Sequence, residues 1–231
     1  GSRPEVTQRA TRRHSTNLTL GGAFSVFFSN LNAWLLVGAM LTALVWRGAQ
    51  GSYTWWDLLI PMFFIAFQPF QEWLIHVHVL HWRPRRVFGV WLDPELCRKH
   101  RAHHRDPSNV PNIFIPRRTL LALLPLHVAL WWAITPTPQL MATGLLVTFT
   151  SGVVYEWTHF IIHTTYKPRT RLYKRIFRYH RLHHFKNENY WFGVTAHSGD
   201  RLLRTLPAPR AVETSPTARD LGGLAAAGID R

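Results

Sequence analysis

Four long apolar blocks interrupt a chain whose other segments are densely charged. Residues 23–46 (AFSVFFSNLNAWLLVGAMLTALVW) and 119–134 (TLLALLPLHVALWWAI) carry no Asp, Glu, Lys or Arg. Residues 58–75 carry only Glu72, and residues 139–163 only Glu156. A helix rises 1.5 Å per residue, so about 20 apolar residues cross a bilayer. The first and fourth blocks reach that length, and the second does if its helix continues to Leu80. The third is short and reads as half of a tight hairpin with the fourth, turned at Thr-Pro-Thr-Pro, residues 135–138. The pattern predicts an all-α fold, an integral membrane four-helix transmembrane bundle with approximate spans 23–46, 58–80, 119–134 and 139–163. For any single block the competing reading is a helix buried in a soluble core.

Charge separates the two readings. The 231 residues include 27 Lys and Arg against 12 Asp and Glu, and a soluble protein so basic would point first to nucleic acid. With four spans, however, residues 1–22, 82–118 and 164–231 share one face and hold 26 of the 27 basic residues, leaving Arg47 alone on the other. The positive-inside rule puts the basic face and both termini in the cytoplasm. Basic charge there serves topology and attraction to anionic head groups, and no nucleic-acid partner is expected. Arginine outnumbers lysine 23 to 4, which suits a bacterial inner membrane. The first apolar run is too long for the core of a signal peptide. Residues 1–22 read as a basic leader. Residues 205–231, rich in Ala, Pro, Gly and Thr, read as a disordered tail. One domain, 23–204, remains between them.

The candidate chemistry is histidine. Thirteen of the 14 histidines lie between residues 76 and 197, most of them just past the cytoplasmic ends of spans. His76, His78 and His81 close the second block, and His159 and His163 close the fourth. His100, His103 and His104 form a His-x-x-His-His box, repeated as His180, His183 and His184. Residues three or four apart on a helix share a face, so each box aims imidazoles at one spot while its adjacent histidine reaches a neighbouring one. Neutral imidazole is the commonest protein metal ligand. Two such boxes could therefore hold two metal ions side by side, each box bridging the pair. His76 and His81 fit less well, being roughly 140° apart on an ideal α-helix. Geometry alone prefers His78 with His81, or lets His76 and His81 serve different metals. The single cysteine, Cys97, rules out an internal disulfide and a cysteine-based cluster.

Glu72, four before His76, and Glu156, three before His159, are the only carboxylates inside the four blocks, where ionisable groups are costly and tend to have a task. Each could accept the remaining N–H of a ligand histidine and fix its tautomer; the alternative is an ion pair with an arginine in the bundle. His14 reads as solvated and His127 as bonded within the bundle. His197 stands between a distal ligand and a pocket or structural residue.

The order His-x4-His (76, 81), His-x2-His-His (100, 103, 104), His-x3-His (159, 163) and His-x2-His-His (180, 183, 184) resembles the fatty acid hydroxylase superfamily, which includes sterol desaturases, fatty acid 2-hydroxylases and carotene hydroxylases. EWLIHVHVLH resembles the family's first box, and HFKNENYWFGVTAHSGDRLLRT, residues 184–205, resembles its ending. The family usually has a Trp before the Asp of that ending, where this chain has Gly199, and His197 is an addition. The likeness covers roughly residues 25–205. It implies a membrane histidine-box oxidase with a cytoplasmic histidine-rich helical cap. The ten motif histidines, His76, His81, His100, His103, His104, His159, His163, His180, His183 and His184, would be the ligands, with His78 and His197 as possible additions. The implied cofactors are two iron ions, which zinc can replace in purified protein, with O2 and an external electron donor such as a ferredoxin or a small haem carrier with its reductase. The implied activity is hydroxylation, or desaturation, of an unactivated C–H bond in a lipid held in the bilayer.

Three other classes compete. An acyl-type desaturase typically uses fewer boxes in another order, and the additional His159/His163 pair disfavours it. A metal-binding or transport protein usually places its ligands mid-bilayer along a path, whereas these gather at one face. A zinc hydrolase needs a base such as the Glu of His-Glu-x-x-His, a motif absent from the chain.

Overall fold

The computed structural model describes residues 17–221. Four helical segments are long and apolar enough to cross a membrane: Leu31–Ala49, Trp56–Leu80, Val110–Ile134 and Pro138–Ile162. In chain order the helices are α1 (Leu20–Phe28), α2 (Leu31–Ala49), α3 (Trp56–Ile75), α4 (Glu95–Arg105), α5 (Val110–Ile113), α6 (Arg117–Ile134), α7 (Pro138–Ile162), α8 (Arg171–Phe185) and α9 (Ser198–Leu202). Large apolar side chains such as Val45, Phe63, Ile65 and Trp132 point outward. A soluble monomer would not display a belt of this kind, and a bilayer would cover it. The chain is an integral membrane protein.

The first apolar block is two helices rather than the single span expected. Asn30 adopts extended backbone (φ −93°, ψ 128°), and its Oδ1 accepts the backbone N–H of Asn32, capping α2. Ser29 turns its hydroxyl back onto the Val26 carbonyl, and the Trp34 indole donates to the Phe28 carbonyl. Capping side chains that compete for backbone groups end a helix even where every neighbour is apolar.

Helix α7 is the centre of the bundle. Fourteen of its 25 residues are buried, consistent with a helix contacted on all sides. It packs against α2, α3 and α6. Gly144 is required at the α6 contact, because a Cβ there would sit 2.3 Å from the Trp131 ring. The same indole donates to Thr148 Oγ1 at 2.9 Å. The α6–α7 connection is the expected hairpin, with Thr137 capping α7. At that end of the bundle Arg47 is buried, 2.8 Å from Asp57 Oδ1, and also bonds Thr143 and the Gly51 carbonyl. The one basic residue of this face thus ties α2, α3 and α7 together.

The opposite end carries a cap. After α3, an antiparallel ribbon pairs β1 (Arg85–Val87) with β2 (Val90–Leu92) around a two-residue turn, Phe88–Gly89, with positive φ at both positions, the twist such hairpins favour. Helix α4 is anchored to it by Arg101, buried, whose guanidinium grips Asp93 at 2.6 and 2.8 Å and bonds the Trp82 carbonyl. Helices α8 and α9 complete the cap.

The expected disordered tail, 205–231, is corrected over residues 205–221. Ser215 donates its N–H to the Lys186 carbonyl at 2.7 Å, Asn187 bonds the Glu213 carbonyl, and Thr217 bonds Glu188. Arg219 donates to the carbonyls of His104 and Arg105 at the end of α4. Low apolar content did not prevent order here, since polar contacts to α4 and α8 supply it. The rest of the tail, 222–231, and residues 1–16 of the leader lie outside the described residues.

Candidate metal centre

The second span ends in a single π-helical turn, His76–Leu80. Its i→i+5 hydrogen bond, from the His81 N–H to the His76 carbonyl at 3.1 Å, stacks residue 81 over residue 76. The 140° separation of an ideal α-helix does not apply, and the two histidines face one spot. Cys97 on α4 reinforces the turn by donating its S–H to the Val79 carbonyl.

Ten imidazoles converge in two groups of five. One contains His76, His81, His100, His104 and His183; the other contains His103, His159, His163, His180 and His184. Within each group one nitrogen from every ring lies within 4.8 Å of the others. The repeated box explains the division. On α4, His100 and His104 turn to the first group and His103 to the second. On α8, His180 and His184 turn to the second group and His183 to the first. Each box straddles both groups, and the π-turn and the α7 terminus each complete one.

The hydrogen bonding around the rings suits metal ions. Four Nδ1 atoms face backbone carbonyls: His76 on Phe192 (2.6 Å), His104 on Ala218 (3.0 Å), His159 on Ile113 (3.0 Å) and His183 on Tyr190 (2.8 Å). A nitrogen beside a carbonyl must carry the proton, which leaves Nε2 with a free lone pair. Nε2 of His76, His100, His104 and His159 is buried with no partner among the described residues. Other rings set nitrogen against nitrogen: His163 to His180 at 2.9 Å, His180 to His184 at 3.0 Å, His103 to His163 at 3.1 Å and His81 to His183 at 3.2 Å. Ligand nitrogens about 2.1 Å from one ion stand roughly 3 Å apart. The donor set therefore fits two metal ions.

Burial, followed by the other rings, pushes the imidazoles of His81, His100, His103, His163, His180 and His184 well below their ordinary range. Burial brings His104 down to about 3. Ten cations could not share this volume, and neutral rings are the form that binds metal.

The carboxylates do not touch the histidines as expected, nor do they pair with arginine. Glu72 accepts the N–H groups of Val194 and Thr195 and the hydroxyl of Thr195. Glu156 accepts the Ile115 N–H at 3.1 Å. Each acid holds the loop whose carbonyl receives the histidine proton: Phe192 for His76, Ile113 for His159. Asp200 helps on the first loop, accepting from Phe192 and Gly193. Gly199 lies against the Pro69 carbonyl, where a Cβ would come within 2.3 Å, so no larger residue fits between α9 and α3.

The remaining histidines stand apart. His78 is exposed, edge-on to Trp73. His197 is buried against Tyr179, and burial beside Arg175 lowers it to about 4. His127 donates from Nδ1 to the Leu123 carbonyl at 2.7 Å, inside the bundle as expected. His14 lies outside the described residues. Sequence reasoning missed the carbonyls of Ile113, Tyr190, Phe192 and Ala218, which leave no trace in residue type. It also missed Arg219, one of three arginines in a bland tail with nothing in residue type to single it out.

A cavity of about 220 Å³ runs between the spans, walled by α2, α3, α6 and α7 and by Leu96 of α4. Ile75, Leu80 and Tyr155 bring it to the histidines, the Tyr155 ring lying 5.8 Å from that of His159.

Comparison with known proteins agrees with this picture. A family model described as fatty acid hydroxylase matches residues 61–205. Dihydroceramide fatty acyl 2-hydroxylase FAH2 of Arabidopsis thaliana is 27% identical over 155 residues, covering 66% of this chain and 62% of the relative. FAH1 of the same organism is 28% identical over 145 residues, 62% of this chain and 58% of the relative. The match thus spans less than two thirds of each relative. A solved structure titled full length scs7p, with only its hydroxylase domain visible, shares the fold with a TM-score of 0.58 at 20% identity, covering 84% of this chain and 69% of that one.

Proposed function

Since the chain belongs to the fatty acid hydroxylase family, we propose that it is a membrane oxygenase that hydroxylates an unactivated C–H bond in the acyl chain of a lipid. The observation that carries this reading is the pair of five-histidine groups at the end of an intramembrane apolar cavity. The ten motif histidines would hold two iron ions, five rings to each. With O2 and two electrons, an iron pair bound there would supply the oxidising power for an unactivated C–H bond.

The chain's own residues do the rest. Backbone carbonyls keep the Nδ1 protons of His76, His104, His159 and His183 in place, so that Nε2 of each would face the metal. The π-turn and the two boxes fix the spacing of the groups. The cavity walls exclude bulk water and lead an apolar chain from the bilayer to the histidines. The basic cap faces the cytoplasm by the positive-inside rule. It offers an acidic electron carrier, a ferredoxin or a small haem protein with its reductase, a complementary docking face.

Isotopic oxygen tests the reading. Full-length protein loaded with iron, given a chemical reductant, an acyl lipid and 18O2, is expected to return lipid carrying one labelled hydroxyl per turnover. A product that has only lost two hydrogens would make it a desaturase. Unchanged lipid under conditions where the metal is bound and reduced would contradict the proposal.

A further inference from the structure

The cavity is not the smooth apolar sleeve that a saturated chain would need. Gln71, Ser151 and Tyr155 line it, and none of their side chains has a hydrogen-bond partner among the described residues. His127 lines it too, with Nδ1 committed to the Leu123 carbonyl. The rest of the wall is mainly Leu, Ile and Phe. Unsatisfied polar groups at membrane depth are costly, and a plain alkyl chain would leave all four unsatisfied.

Their positions form a ladder. Tyr155 and Ser151 precede His159 on α7 by four and eight residues, about 6 and 12 Å along the axis. His127 lies ten residues into α6 from Arg117, about 15 Å. The deepest rung is also the most selective. With its Nδ1 proton given to Leu123, His127 offers only an acceptor at Nε2. An ether or carbonyl oxygen cannot donate to it, whereas a hydroxyl can.

We infer that this cavity selects a lipid chain already carrying a hydroxyl along its length, with that hydroxyl donating to His127 Nε2 while Ser151 serves its oxygen. The reaction that supplies the substrate is then an earlier hydroxylation or hydration of the chain. This deepens the reading of the protein as a lipid oxygenase and rests on it.

Binding tests the inference without turnover. Full-length, iron-loaded protein in nanodiscs is titrated with stearic acid and with a positional series of monohydroxystearic acids, each displacing a fluorescent fatty acid. One isomer, or two neighbouring ones, is expected to bind about tenfold more tightly than stearic acid. His127→Phe brings that isomer down to the level of stearic acid. Equal affinity across the wild-type series overturns the inference whether or not the variant folds, and so does a preference that survives His127→Phe. Because no oxidation is measured, failure here leaves the labelled-oxygen experiment to judge the oxygenase reading separately.

Discussion

Glu72 accepts two backbone N–H groups and one hydroxyl from a loop that is distant in sequence and adjacent in space. Removing it would strand the buried N–H of Val194, at about 1–3 kcal/mol, leave the half-buried N–H of Thr195 without its acceptor, and release the Phe192 carbonyl from His76. Glu72→Ala is therefore expected to lower the thermal midpoint and the metal content together. Glu72→Gln, which keeps one acceptor oxygen, should lose less of both. Melting curves and metal analysis on the same preparations check this; an alanine variant with wild-type values for both would refute the role. At this scale the sequence was informative about side chains and silent about backbone. The spacings foretold that the histidines of the boxes gather at one centre, because helical faces follow from spacing, although the three-residue pairs His100/His103 and His180/His183 divide between the two groups. The proximity of Glu72 and Glu156 to histidines was legible, but not the loop carbonyl standing between acid and imidazole.

Elements add what spacing cannot. His76 and His81 share a group because five residues form a π-turn. The apolar run containing them gives no sign of that turn, so α-helical geometry misleads there. The same blindness hid the break at Ser29–Asn30, where a short capping signal outweighs a long hydrophobic one. Residues 213–221 are the third case. They extend beyond the family match at 61–205, yet Ala218 receives the His104 proton and Arg219 caps the carbonyls ending α4. Arg219→Ala should loosen this support and weaken metal retention in the first group by about 10–100-fold. Chelator competition would measure it, with Arg219→Lys recovering part of the loss. Identical retention in wild type and alanine variant would separate the segment from the centre.

The whole molecule divides its labour between two ends. At one end, Arg47 and Asp57 lock three spans together. At the other, the histidines gather beneath a basic cap, with the cavity opening between the spans to meet them. Span number and approximate position were readable from hydropathy, and the one-sided placement of imidazole from the order of blocks and boxes. Which ring joins which group was not, since that depends on how α4 and α8 are set against the ends of α3 and α7. The central claim is that each group of five holds one ion. Iron counted per chain after anaerobic loading and removal of free metal tests it most directly, with His183→Ala probing the first group and His103→Ala the second. Two irons per wild-type chain are expected, falling to about one or fewer in each variant. A wild-type protein that keeps one iron or none, or variants that both keep two, would contradict it.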